Sequence, residues 1–141
     1  MNFASGSEEQ TEGIGKKLAS HLKPGDNIRL YGDLGSGKTS LTRGIVDYFH
    51  HDAGNAVKSP TFTMLNIYEG EPTIHHFDFY RIENETDIEE LGLDDYWGNG
   101  INVVEWPKDF CMALPGRTID VIISIEREKE RKITANIPAN E

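Results

Sequence analysis

Eight consecutive residues restrict the possible folds more than anything else in this chain. Gly32-Asp33-Leu34-Gly35-Ser36-Gly37-Lys38-Thr39 fits G-x-x-x-x-G-K-[ST] without a mismatch. Such a run needs a buried strand before it and a helix after it. Asn27–Tyr31 reads as the strand, with Ile28 and Leu30 apolar, and Lys38 opens a helix carrying Leu41, Ile45 and Phe49 on one face. Glycine lets the backbone take positive φ and approach an anion closely. The loop's successive N–H groups form an anion nest, and the helix N-terminus adds partial positive charge. Lys38 is placed to reach β- and γ-phosphates, and Thr39 to offer its hydroxyl to Mg²⁺. Gly32, Asp33, Leu34, Gly35, Ser36, Gly37, Lys38, Thr39 and Ser40 are the candidate nucleotide-binding set.

The remaining chain reads as α/β: a three-layer, P-loop NTPase-like single domain over 1–141, with a mixed sheet and antiparallel hairpins. Ser7 and Gln10 form a capping box, followed by Ile14, Leu18 and Leu22 at four-residue intervals and a stop at Pro24-Gly25. A long polar connection runs over 50–60. Strands over 62–68 and 74–80 flank the turn Glu69-Gly70-Glu71-Pro72. Helical turns are expected at 85–91 and 94–97, a strand at Ile101–Glu105 buried on both faces, and a helix over 107–114 beginning at Pro107. Two last strands, 118–126 and 131–137, answer each other across a turn near Glu128-Lys129. Ile119, Val121, Ile123 and Ile125 share one face of the first.

Composition excludes several function classes. With 24 acidic against 14 basic residues, the formal net charge of the 141-residue chain is −10. That balance disfavours direct DNA or RNA binding by the lone chain, because phosphate contacts need Lys and Arg. A single cysteine, Cys111, excludes an internal disulfide and a cysteine-built metal site. No apolar run approaches a membrane span, and the N-terminus shows no secretory signal, so the expectation is a cytoplasmic protein.

The class of nucleotide protein narrows in the same way. No Asn is followed by Lys, so the guanine-reading N-K-x-D is absent. Asp95-Tyr96-Trp97-Gly98 matches D-x-x-G, but no buried strand leads into it. The six arginines form no lid cluster of the kind a small-molecule kinase needs. ATP hydrolysis or ATP-dependent switching fits better. Glu105 ends a Walker-B-like strand, where a carboxylate holds Mg²⁺ directly or through water, although an acid at a strand end is also common. Asp78 competes with it. If Phe77 and Phe79 face the core, Asp78 points the other way with His76 and Tyr80, onto what composition alone makes a solvated face. Ser59 and Thr61 supply hydroxyls of a switch-like segment, or simply a loop entering a strand. His50-His51 and His75-His76, lacking a third ligand, read as surface or core histidines.

Four blocks, in order, carry a more specific resemblance: the phosphate loop; Ser59-Pro60-Thr61-Phe62-Thr63; His76-Phe77-Asp78-Phe79-Tyr80-Arg81; and Glu105-Trp106-Pro107. Together they resemble the TsaE (YjeE) family, small bacterial P-loop ATPases required for threonylcarbamoyladenosine (t6A) modification of tRNA. Thr11 in the first helix, Leu91-Gly92-Leu93 and Arg131 in the last strand agree with it. The resemblance implies ATP/ADP and Mg²⁺ as cofactors, Lys38, Asp78 and Glu105 as catalytic residues, and Thr39 and Glu105 as Mg²⁺ ligands. It places Thr61, Trp106, Thr11 and Arg131 beside the nucleotide, with TsaD- and TsaB-type partners that carry the modification chemistry and the tRNA contact. Ser36, where the family usually has a smaller residue, is expected to have no consequence. An ATPase that resets a tRNA-modifying complex and a module controlled by ATP occupancy alone both satisfy these features; an independent small-molecule kinase satisfies them less well.

Overall fold

A computed structural model describes residues 1–51, 53–60, 64–90, 92–108 and 114–138. It contains strands β1 (Asn2–Ser5), β2 (Asn27–Tyr31), β3 (Leu65–Tyr68), β4 (Ile74–Asp78), β5 (Ile101–Glu105), β6 (Thr118–Arg127) and β7 (Glu130–Asn136). Its helices are α1 (Glu8–Ala19), α2 (Lys38–Phe49) and α3 (Glu85–Glu90), with 3-10 turns at Ala53–Ala56 and Leu93–Tyr96. The strands form one mixed sheet in the order β1-β7-β6-β2-β5-β4-β3. β6, β2, β5 and β4 run parallel, while β3 and the β7–β1 pair are antiparallel additions at the two sides.

Strand alternation sorts the apolar residues into two layers. Ile28, Leu30, Ile74, Ile101, Val103 and Ile119 face Ile14, Leu18, Leu41 and Val46 of α1 and α2. Phe77, Phe79 and Val104 face the other way, onto Ile82, Ile88 of α3 and the rings of Tyr96 and Trp97. β4 and β5 are therefore buried on both faces, as their central position requires. The three-layer α/β arrangement read from the sequence is the one observed. None of the helices among the described residues is long and apolar enough to cross a membrane.

Several boundaries move for identifiable reasons. β4 ends at Asp78, not Tyr80: the bond from the Phe79 N–H to the Glu105 carbonyl closes the last pair of the ladder, and Tyr80 enters a turn. β3 begins at Leu65, after Met64 with φ of 65°. The expected start of that strand, with Thr61, lies outside the described residues. So does most of the helix expected over 107–114; Pro107 and Lys108 are not helical. Ile125 is 45% exposed although it stays in regular register with Arg131, because β6 there has run past Ile122, its last residue paired with β2, and only β7 accompanies it. β1 carries no signal of its own: four residues reading Asn-Phe-Ala-Ser are too short and too polar to mark a strand without their partner β7. The capping box holds in altered form. Ser7 Oγ accepts from Gln10 N at 3.1 Å, but Gln10 Oε1 reaches back to the Gly6 N–H at 2.6 Å.

A polar row fixes the strand register on the face opposite α1 and α2. Asn27, Asn102 and His75 are paired neighbours on β2, β5 and β4. His75 Nδ1 donates to Asn102 Oδ1 (2.9 Å), Asn102 Nδ2 to Asn27 Oδ1 (3.0 Å), and Asn27 Nδ2 to the Pro115 carbonyl (2.8 Å). Each Asn is fully buried and has both ends of its amide bonded, which makes a one-residue slip costly.

The helix that follows the phosphate loop is seated by glycine. α1 and α2 cross so closely that a Cβ on Gly44 would collide with the Glu12 carbonyl, and one on Gly15 with the Leu41 carbonyl. Gly44→Ala is a diagnostic substitution. In a helix with room, alanine stabilises by about 1 kcal/mol relative to glycine. Here the overpacking outweighs that gain, and a net loss of about 1–3 kcal/mol is expected in urea denaturation.

Candidate functional site

The loop between β2 and α2 takes the conformation its glycines permit, with φ of 76° at Gly35 and 112° at Gly37. The first bond on entering α2 runs from Leu41 N to Gly37 O, so the N–H groups of Lys38, Thr39 and Ser40 precede it. Gly37, at the N-cap, has no side chain to cover them. Lys38 is only 6% exposed. Its ammonium donates to the Gly32 carbonyl and, at 3.3 Å, to the Asp33 carbonyl, and lies 3.9 Å from the centroid of the Trp106 ring. Burial pushes the Lys38 ammonium below its ordinary pKa, against the opposing pull of Glu105, Asp78 and Asp33.

Two carboxylates meet this lysine from the neighbouring strands. Asp78 and Glu105 end β4 and β5 as a register pair, and each is 3% exposed. The solvated face that composition alone gave Asp78 is thus not what the fold provides. Asp78 Oδ1 accepts from Tyr80 N at 2.9 Å and Oδ2 from Ser59 Oγ at 3.3 Å. Glu105 Oε2 lies 2.5 Å from His76 Nε2. The next residue, Trp106, has φ of 55°, a left-handed conformation that costs a bulky residue about 1–3 kcal/mol. That turn brings its ring over Lys38 and edge-on to Tyr80, with centroids 5.0 Å apart.

These residues line a cavity of about 430 Å³ that also includes Leu34 to Ser40, Arg43 and Ser59. A second cavity, of about 350 Å³, shares residues 35–37 and Ser40 and is bounded by Ser7, Glu9, Thr11, Lys129 and Arg131. Of the expected site residues, Leu34, Gly35, Ser36, Gly37, Lys38, Thr39, Ser40, Asp78, Glu105 and Trp106 meet at the first cavity. Thr11 and Arg131 sit at the second. Gly32 and Asp33 supply the carbonyls under Lys38, and Thr61 lies outside the described residues.

Two residues have more definite surroundings than the sequence suggested. Thr11 is buried, its hydroxyl 2.7 Å from Ser5 Oγ and 3.2 Å from the Ser7 carbonyl, and its methyl would touch a Cβ at Gly37. Arg131 is committed to carbonyl oxygens. Nε donates to Ser36 O (3.0 Å), Nη2 to Gly35 O (3.2 Å), and Nη1 to Glu128 O (2.7 Å) and Glu130 O (3.1 Å). Its guanidinium joins the loop to the β6–β7 turn. The Ser36 Oγ is buried without a partner among the described residues.

Arg43 and His76 join the site although no motif assigns them a role there, and simple periodicity places both. Arg43 follows Thr39 by four residues on one helix, which puts it on the same face. Its Nε donates to the Val57 carbonyl at 3.3 Å. His76 precedes Asp78 by two residues on a strand and so shares its face.

The Arg131 contacts generate a prediction. Arg131→Lys keeps the charge but loses the fork that spans five carbonyls, those of Gly35, Ser36, Arg127, Glu128 and Glu130. Faster amide hydrogen exchange at residues 35–37 is expected, with a melting temperature lowered by several degrees. Unchanged exchange there would mean that the loop holds its shape without the guanidinium.

Known proteins resemble this chain in sequence and in fold. Residues 5–133 match the family model described as TsaE, threonylcarbamoyl adenosine biosynthesis protein. The tRNA threonylcarbamoyladenosine biosynthesis protein TsaE of Bacillus subtilis is 39% identical over 134 residues, spanning 94% of this chain and 82% of that protein. Its namesake in Treponema pallidum is 30% identical over 135 residues, or 95% and 98% of the two chains. The crystal structure of YdiB from Bacillus subtilis superimposes with a TM-score of 0.73 at 32% identity, covering 97% of this chain and 84% of that one. With the family match spanning nearly all of the sheet and both sides of the phosphate loop, the chain belongs to the TsaE family, whose proteins take part in forming threonylcarbamoyladenosine in tRNA.

Proposed function

We propose that this chain binds ATP with Mg²⁺ and hydrolyses it to drive the cycle of a t6A-forming complex containing TsaD- and TsaB-type partners. One observation carries the reading: an uncapped helix N-terminus, a buried lysine and two buried carboxylates converge on one cavity. Neutral ligands need no such set. The loop's N–H groups and Lys38 suit a polyphosphate, and a hydroxyl beside two carboxylates suits a hard divalent cation. Thr39 and Glu105 are the residues that would hold magnesium. When bound, the ion would spread the charge that develops on the transferred phosphoryl oxygens. Asp78, already receiving two hydrogen bonds, is held rigidly enough to orient an attacking water or the ion's own waters. The second cavity, with Thr11 and Arg131 at its wall, is the place left for the nucleoside.

The arginines support a dependence on partners. Arg131 is occupied by carbonyls, and Arg43 spends its Nε on Val57. A charge-stabilising arginine supplied in trans can be worth ~10³-fold or more in rate. The lone chain is therefore a slow ATPase, and its charge of −10 leaves tRNA contact to the rest of the complex. The same observation favours the second reading, in which ATP occupancy alone controls assembly.

Three variants and one comparison test this. Lys38→Ala should weaken ATP binding by at least ~1.4 kcal/mol, tenfold, in calorimetry. Asp78→Asn and Glu105→Gln should still bind ATP while losing about 10²-fold or more in hydrolysis. If a complex containing either variant continues to turn over repeatedly, hydrolysis is not its motor and the occupancy reading stands. Steady-state hydrolysis with and without both partners measures the dependence; a high rate in the lone chain, indifferent to them, contradicts it.

A further inference from the structure

His76 is 0% exposed, on the same face of β4 as Asp78, with Val103 and Asn66 as its register neighbours. Its Nε2 lies 2.5 Å from Glu105 Oε2, a short contact of the kind that charged acceptors make. Its Nδ1 is buried and has no partner among the described residues. Buried polar atoms are almost always bonded, so an orphaned ring nitrogen is a standing cost. A leucine or phenylalanine here would remove that cost and still fill the space between β3 and β5. What an apolar side chain would not supply is the Nε2 contact. The tautomer protonated at Nε2 suits it: the ring donates to the carboxylate, and Nδ1 is left a bare lone pair rather than a stranded N–H.

We propose that His76 is a positioning residue for Glu105. By donating to Oε2 it locks the carboxylate rotamer and reserves Oε1 for the cation that accompanies a nucleoside triphosphate. Metal-bound carboxylates generally need such an outer hydrogen bond, and its loss commonly costs about 10- to 100-fold in metal affinity. The need is acute here, because Glu105 ends β5 immediately before the left-handed turn at Trp106, and the wall opposite carries the Lys38 ammonium. An unrestrained carboxylate would swing toward that charge. The inference rests on the nucleotide–magnesium reading of the site.

The test measures binding rather than turnover. Affinity for a non-hydrolysable ATP analogue is determined by calorimetry, once with magnesium and once with a chelator, and the ratio of the two is the readout. His76→Leu should shrink that ratio at least tenfold while leaving the chelator value within about twofold. Because an apolar variant can fail to fold, two amide variants accompany it. In His76→Gln the side-chain amide nitrogen reaches the Nε2 position and should restore the ratio; in His76→Asn it lies near the Nδ1 position and should not. Equal ratios for these two amide variants, or a ratio unchanged in folded His76→Leu, overturn the inference. So does a parallel loss in both conditions, which marks a purely structural role. Failure of the unaltered chain to bind the analogue in either condition overturns the nucleotide reading itself, and this inference with it.

Discussion

Three charged side chains are held almost out of water in one cavity, and most of the architecture answers that difficulty. Ions moved from water into protein are costly unless hydrogen bonds or opposite charges replace their solvation. Asp78 is solvated by a backbone N–H and a serine hydroxyl, Glu105 by an imidazole, and Lys38 by two carbonyls and the face of an indole. These substitutes come from separate elements. They coincide only because β2, β5 and β4 end level with one another, with Leu30 beside Glu105 and Glu105 beside Asp78. The row of Asn27, Asn102 and His75 at the opposite end of the same strands keeps them so.

The parts of this design that rest on local chemistry are visible in the sequence. Glycines at 32, 35 and 37, a Ser7 cap and alternating apolar strands each act within a few residues, so spacing alone reveals them. Glu105 and Asp78 are identifiable as carboxylates at strand ends. Their burial is not, because it depends on which strands become neighbours. The same limit hides β1, which is a strand only by virtue of β7, and the contact between Arg131 and a loop 95 residues earlier in the chain. The exposure of Ile125 is hidden as well: its alternation is perfect, but β6 outruns β2, its neighbour in the sheet, and that depends on where another strand ends. Strand alternation already sets His76 on the face of Asp78, but a buried histidine is ordinarily structural and no role follows from its place; Arg43 lies equally within reach of periodicity and draws no notice, because a helix-surface arginine is ordinarily structural.

Rigidity is distributed unevenly around the cavity. On one side the α1–α2 crossing is so tight that glycine is required in both helices, which fixes the direction in which the N-terminus of α2 points. On the other, Tyr80 is 51% exposed and Leu34 72%, apolar groups left in water at the rim of a strongly polar hollow. The electrostatic floor is set by the fold, while the rim has little holding it within the chain.

The central strand has a history as well as a position. β2 lies between β5 and β6, and the second of these neighbours begins about ninety residues downstream of it. A ribosome that has released residues 1–108 has made the whole phosphate loop, both carboxylates and the helices that pack beneath them. It has not yet made the strand that closes the far side of β2, or the arginine that grips the loop's carbonyls. A motif made early in synthesis is thus among the last to be supported, and closing the sheet around it waits on some of the most distant contacts in the sequence.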